Sequence, residues 1–376
     1  MKMTVIRRIV IFAMVLTLFS AVYGWAAEPI KLGSVLRLSA GAEHGIPSKR
    51  GVELAVEEVN KAGGINGRKV EVIFEDEKDS PATCVNAVQK LINVDKVVAL
   101  IGPMTSGGVL AAGPTAEAAK KLCITPTATS PKVSGMGEFV SRACSRIDQQ
   151  SRELTDYVAK TWKPKSVGIL FSNEPYGKGC SELFGKDFEK LGIKVVANES
   201  FMRGARDFKA QLTTIKSLNP DILFIPGYTQ ETAPAAAQAR QLGMNQKILG
   251  VYGDMDEVYI QLAGKAAEGH VIASEYDVDY NTPKNQEFKK RYFELAKKHN
   301  DPVNIMFAAL TYDSTGMVLA GMQKYGPDSE GIKKFLKEMK DYDGVTGKLS
   351  FDQKNDCVKS ALYILEVQNG KWVKVK

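Results

Sequence analysis

The chain is poor in the residues on which metal and redox chemistry depend. It holds only three histidines, His44, His270 and His299, scattered through 376 residues, and no CxxC pair. A structural zinc site needs His and Cys ligands at close spacing, so none is expected. The five cysteines, Cys84, Cys123, Cys144, Cys180 and Cys357, are too few for a disulfide scaffold. One or two bridges would leave at least one thiol over. No GxxxxGK[ST] and no GxGxxG follows a strand, which argues against a bound nucleotide phosphate. No GxSxG elbow is present and no histidine stands where it could act as base, which argues against a nucleophilic serine. Low-complexity stretches and Ser/Pro-rich linkers are absent too.

A single long uncharged apolar run occurs, residues 9–22, after Lys2, Arg7 and Arg8 and before Gly24, Ala26 and Ala27. It is shorter than the roughly 18 residues of a spanning helix. The order of positive, apolar and small residues describes a secretory signal. Cleavage after Ala26 puts Gly24 at the third position upstream, so residues 1–26 are expected to be removed and the mature chain to be exported. No cysteine follows the site to carry a lipid. Removing those three positives from a formal net charge of +7 leaves +4. The remaining cations are interleaved with acids, as in Lys289-Lys290-Arg291 beside Glu287 and Glu294, which is a solvated helix face and not a nucleic-acid footprint.

What remains is ordinary for a two-domain globular chain, 44% hydrophobic and 25% charged. Strand-like and helix-like segments alternate from residue 30. Val52, Ala55, Val56 and Val59 make one apolar helical stripe, followed by strand-like 70–74, a helix opened by Pro81, and strand-like 97–101 and 123–125. A second set of similar rhythm begins after residue 150, with strand-like runs at 167–171, 195–200, 222–226, 248–251 and 271–276. Alternation of this kind means parallel βαβ units, and two such sets argue for two similar lobes. Helices follow at 286–298, 302–324 and 330–339, and two final strands flank Asn369-Gly370.

In parallel sheets ligands bind at the carboxyl ends of strands. Two such ends carry small and hydroxylated residues: Gly102-Pro103-Met104-Thr105-Ser106-Gly107-Gly108, and Thr125-Pro126-Thr127-Ala128-Thr129-Ser130. Each also suits an ordinary helix cap. Together they make a surface of N–H groups and hydroxyls for a carboxylate. Tyr176 and Tyr228 follow strands of the second set and offer an apolar face with a hydroxyl. A ligand ammonium would require an acid, and Asp254 and Asp256 follow the strand-like run 248–251.

The chain resembles the periplasmic binding proteins for branched-chain amino acids and related ligands of ABC importers. The resemblance lies in Ile30-Lys31-Leu32-Gly33, in Gly51-Val52-Glu53-Leu54-Ala55 with Asn60-Lys61-Ala62-Gly63-Gly64-Ile65-Asn66-Gly67, in the two turns above, in Tyr176-Gly177-Lys178-Gly179, in Gly204-Ala205-Arg206-Asp207-Phe208 and in Ala267-Glu268-Gly269. It implies an α/β type I periplasmic binding protein fold, two Rossmann-like lobes with parallel-sheet cores joined by a multi-crossing hinge. Crossings near Asp148, Tyr276 and Phe351 would make one lobe of 27–147 with 277–351 and the other of 148–276 with 352–376.

Carried over by position, the ligand-carboxylate contacts fall on Ser106, the backbone of Thr127 and Thr129, with Met104 in the same turn, and the aromatic contacts fall on Tyr176 and Tyr228. The first-loop aromatic falls on His44 before Gly45, a departure from the pattern. The acid for the ammonium falls near Tyr252 to Asp254, and Asp254 is the choice, with Asp256 behind it. A cysteine pair of some members has no match, since Lys78 and Thr105 stand there. The resemblance implies a monomer that is not an enzyme and has no cofactor and no metal. It would bind an aliphatic or branched-chain amino acid and present it to an ABC permease. The alternatives are the same fold binding an amide or aromatic carboxylate, or a sensor docking on a receptor.

Overall fold

Six of the seven residues of Ile30–Leu36 (β1) are buried, as a strand covered on both faces requires. The computed structural model describes residues 28–277, 279–359 and 361–376, so the expected signal segment 1–26 lies outside the described residues. Strand β1 pairs in parallel with Val70–Asp76 (β2) and Ala99–Ile101 (β3). Leu122–Thr125 (β4) and Val140–Arg142 (β5) complete an all-parallel sheet of order β2-β1-β3-β4-β5. Three residues give no readable period, and β5 was not foreseen.

The crossovers of this sheet are Ala42–Lys61 (α1), Pro81–Asn93 (α2) and Ser106–Ala118 (α3). Helix α2 starts where Ser80 accepts from the Thr83 N–H and Pro81 occupies the first turn, where no N–H is needed. The second set follows Ile147–Thr161 (α4). Ser166–Ser172 (β6), Lys194–Phe201 (β7), Ile222–Phe224 (β8), Lys247–Leu249 (β9) and Val271–Ser274 (β10) are parallel neighbours, connected by Pro175–Lys190 (α5), Lys209–Ser217 (α6), Thr229–Gln241 (α7) and Glu257–Ala263 (α8).

The chain then returns to the first lobe. Pro283–His299 (α9), Ile305–Tyr325 (α10) and Ser329–Glu338 (α11) follow one another, with α10 packed against α1 and α11 against β4. By length and hydropathy α10 could span a membrane, but its most apolar window is 89% buried in the protein, so it is a core helix. Tyr342–Gly344 (β11), Gly347–Phe351 (β12) and Cys357–Lys359 (β13) make a small antiparallel sheet. The hairpin Tyr363–Gln368 (β14) and Lys371–Lys374 (β15) then extends the second sheet at β10. Strand β13, which lies past the boundary expected at residue 351, pairs with β12.

All five cysteines are buried free thiols. Burial pushes the Cys123 and Cys357 thiols up to about 12, which leaves little thiolate to react.

Candidate functional site

A narrow cavity lies between the strand ends of the two lobes. Arg37, Met104, Thr105, Ser106 and Thr127 line it from the first lobe, Tyr176, Tyr228, Tyr252 and Gly253 from the second, and Phe307 from α10. Five residues expected at a ligand site, Met104, Ser106, Thr127, Tyr176 and Tyr228, are therefore brought together. Three others are not: His44, Thr129 and Asp254.

The first-lobe half is a pair of cross-linked turns. Thr105 caps α3 by accepting from the Gly108 N–H at 3.1 Å, which leaves Ser106 as the first helical residue at the cavity. Its Oγ accepts from the Ser130 N–H at 3.3 Å and keeps its own hydrogen to donate. Thr125 Oγ1 donates to the Pro103 carbonyl at 2.7 Å and Thr127 Oγ1 to the Met104 carbonyl at 2.8 Å. Behind them Glu77 accepts from the N–H groups of Met104 at 2.8 Å and Thr105 at 3.2 Å. Burial pushes the Glu77 carboxyl up despite these bonds. A helix N-terminus with a free hydroxyl donor beside it is a surface for an anion.

The second-lobe half is aromatic. Tyr176 starts α5, whose cap Glu174 accepts from the N–H groups of Tyr176 at 2.7 Å and Gly177 at 2.6 Å. The Tyr176 hydroxyl is buried and has no protein partner. Its ring lies 5.2 Å from that of Tyr228, which carries the guanidinium of Arg37 at 4.6 Å and that of Arg203 at 4.3 Å. Tyr252 stacks on Phe307, with centroids 5.7 Å apart, and donates its hydroxyl across the cleft to the Thr127 carbonyl. Burial, above all, holds the three phenols well above the usual tyrosine range, so they are protonated donors at neutral pH.

Asp254 does not reach the cavity. It accepts from Thr232 Oγ1 at 2.6 Å and pairs with His270 Nε2 at 3.1 Å, inside the second lobe. Tyr252–Asp254 is a 3₁₀ turn, and residues two apart on such a turn face directions roughly a third of a turn apart. Tyr252 therefore takes the cleft and Asp254 the interior. Gly250 makes the inward position possible, since a Cβ there would collide with the Asp254 carboxylate and the His270 ring.

His44 is one shell behind the cavity, stacked on Phe307 at 4.4 Å. Arg37 Nη1 can only donate, so His44 Nδ1 accepts it at 3.0 Å and the Nε2–H donates across the lobes to Asp256 at 3.1 Å. Thr129 is fully buried, with its hydroxyl unpartnered.

Arg37, Tyr252 and Phe307 are lining residues that the sequence did not single out. Arg37 directly follows β1, so the strand-end rule that found Ser106 would have found it too. Phe307 comes from a helix remote in the chain and has no local signal. Arg203 also ties the lobes together, donating to Asp79 of the first and Glu231 of the second. Those two carboxylates raise its pKa although burial works against them. Among the described residues no group of three or more His, Cys, Asp or Glu stands together as metal ligands.

A family model described as "Periplasmic binding protein" matches residues 29–371. The Leu/Ile/Val-binding protein homolog 3 of Brucella melitensis is 30% identical over 362 residues, covering 94% of this chain and 96% of that protein. A crystal structure of a leucine-binding protein from Thermotoga maritima superposes with a TM-score of 0.85 at 29% identity, over 92% of this chain and 98% of that one. The branched-chain amino acid transporter substrate-binding protein of Streptococcus pneumoniae, solved in complex with isoleucine, gives 0.83 at 31% identity, over 92% and 99%. With two lobes of parallel sheet, a cavity between their strand ends and a match over nearly the whole chain, this protein belongs to the periplasmic binding protein family.

Proposed function

We propose that this chain is the extracytoplasmic solute-binding component of an ABC importer, which captures a small carboxylate of amino-acid size between its lobes. It would act in the periplasm after removal of residues 1–26, as a monomer, and present the solute to the permease subunits. The observation that carries this function is the split site: hydroxyls and a helix N-terminus on one lobe, and tyrosines on the other. The names of the relatives, for leucine, isoleucine and valine, put aliphatic amino acids first among solutes to test. Ser106, Met104 and Thr127 would hold the carboxylate and Tyr176 and Tyr228 the body, with Thr129 and His44 supporting from behind.

Ser106→Ala is expected to weaken solute binding by about 1–3 kcal/mol, the effect of leaving a charged partner short of a donor. Isothermal titration measures it, and unchanged affinity in a folded variant removes Ser106 from the site. Arg203→Met breaks the inter-lobe pair with Asp79 at the cleft rim. It should weaken solute affinity by about 1 kcal/mol and flatten its dependence on salt, because part-exposed pairs are screened. An unaltered salt slope in titrations at two ionic strengths would count against a role in closure.

A second solute class, an amide or an aromatic carboxylate, is favoured by one observation. No Asp or Glu is among the described residues that line the cavity.

A further inference from the structure

An α-amino acid needs an acceptor for its ammonium, yet no Asp or Glu is among the described residues that line this cavity, and five carboxylates close behind it are engaged. Asp254 holds Thr232 and His270. Asp256 holds His44, Thr229 and the Tyr259 N–H. Glu77 and Glu174 are bonded to backbone N–H groups, and Asp79 is shared by the guanidiniums of Arg37 and Arg203. The Thr127 carbonyl, a neutral acceptor at the cavity, takes the Tyr252 hydroxyl.

Donors, by contrast, are in surplus. The Arg37 side chain lines the cavity at 2% exposure, with Nη1 on His44 and Nη2 on Asp79, while its buried Nε–H has no partner. The buried hydroxyl of Tyr176 has none either. The seat of Arg37 is built for it, because Gly41, at φ 84°, lies where a Cβ would collide with the guanidinium. An ammonium placed here would be desolvated beside a like charge, with no carboxylate among the described residues that line the cavity to compensate.

We propose, on the carboxylate-binding reading above, that the solute carries a hydrogen-bond acceptor in place of an ammonium next to its carboxyl group. The class is an α-oxo acid with an aliphatic or aromatic body. Arg37 and Tyr252 set this choice, Arg37 as a donor to the acceptor group and Tyr252 by its hydroxyl, which already engages the Thr127 carbonyl at the cavity.

The test is calorimetric titration of the mature protein, stripped of bound solute by unfolding and refolding, with matched pairs: leucine against α-ketoisocaproate, and phenylalanine against phenylpyruvate. The oxo acid of at least one pair is expected to bind tenfold or more tightly than its amino acid. Arg37→Met should remove most of that preference, and Tyr252→Glu, which introduces an acceptor, should move it toward the amino acid. If the amino acid of every pair binds as tightly or more so, the proposal falls while capture of a small carboxylate stands. If no member of any pair binds, both fall. The wild-type comparison decides the matter even where a variant fails to fold, and an oxo-acid preference unchanged in folded Arg37→Met would overturn the assignment to Arg37.

Discussion

Asp356→Ala is expected to lower the free energy of unfolding by about 3–5 kcal/mol, because removing one partner of a buried ion pair leaves the other charge uncompensated. Arg142, fully buried, directs Nε and Nη2 at the Asp356 carboxylate at 3.0 and 2.6 Å. Its Nη1 donates to the carbonyls of Ala128 at 3.3 Å and Ser130 at 2.8 Å. The same guanidinium thus neutralises Asp356 and fixes the turn that presents Thr127 to the cavity. The variant should lose stability in urea unfolding and also lose solute affinity, since a repositioned Arg142 no longer holds the turn. A loss below about 1 kcal/mol would mean that neighbouring groups absorb the charge.

Glu275→Ala should have an effect of similar size, about 3–5 kcal/mol, for the same reason, but at the hinge. Three segments distant in the chain meet there, around residues 145–150, 275 and 359. The Glu275 carboxylate accepts from the Ser145 N–H at 2.8 Å and from Gln150 Nε2 at 3.3 Å, and it pairs with Lys359 at 3.3 Å. Both charged side chains are buried. Burial is the largest influence on the Lys359 ammonium and alone would depress it, but Glu275, together with Cys357, Asp313 and Cys144, holds the pKa above the ordinary 10.5. A raised lysine value contributes stability that is complete below the unfolded value and lost as pH rises through the folded one. The wild-type protein should therefore lose stability above about pH 10.5, whereas in Glu275→Ala the loss should begin at lower pH. Unfolding curves across alkaline pH separate the two, and superposable curves would deny Glu275 this role.

Much of the fold was legible because it rests on short-range patterns. The stripe Val52, Ala55, Val56, the β-branched run ending at Ile101 and the Asn369-Gly370 turn all carry their signal within a few residues. Short elements such as β5 and β13 were not legible, since three residues define no period and form only because a neighbouring strand is there to pair with. The cysteine count allowed bridges, yet every thiol is separately buried, because packing and not number decides which sulfurs meet.

The site divides along the same line. Strand ends bearing Ser106, Thr127, Tyr176 and Tyr228 could be read from the order of strands and turns, because a parallel sheet brings all its carboxyl ends to one side. Tertiary structure alone decided that Tyr252 and not Asp254 enters the cleft, that His44 stands behind Phe307, and that Arg37 supplies the unpaired donor. By itself the sequence determined two α/β lobes and a hydroxyl-lined turn suited to a carboxylate. What else that carboxylate carries depends on the rotation of one 3₁₀ turn and on partners from distant segments, and no local pattern encodes either.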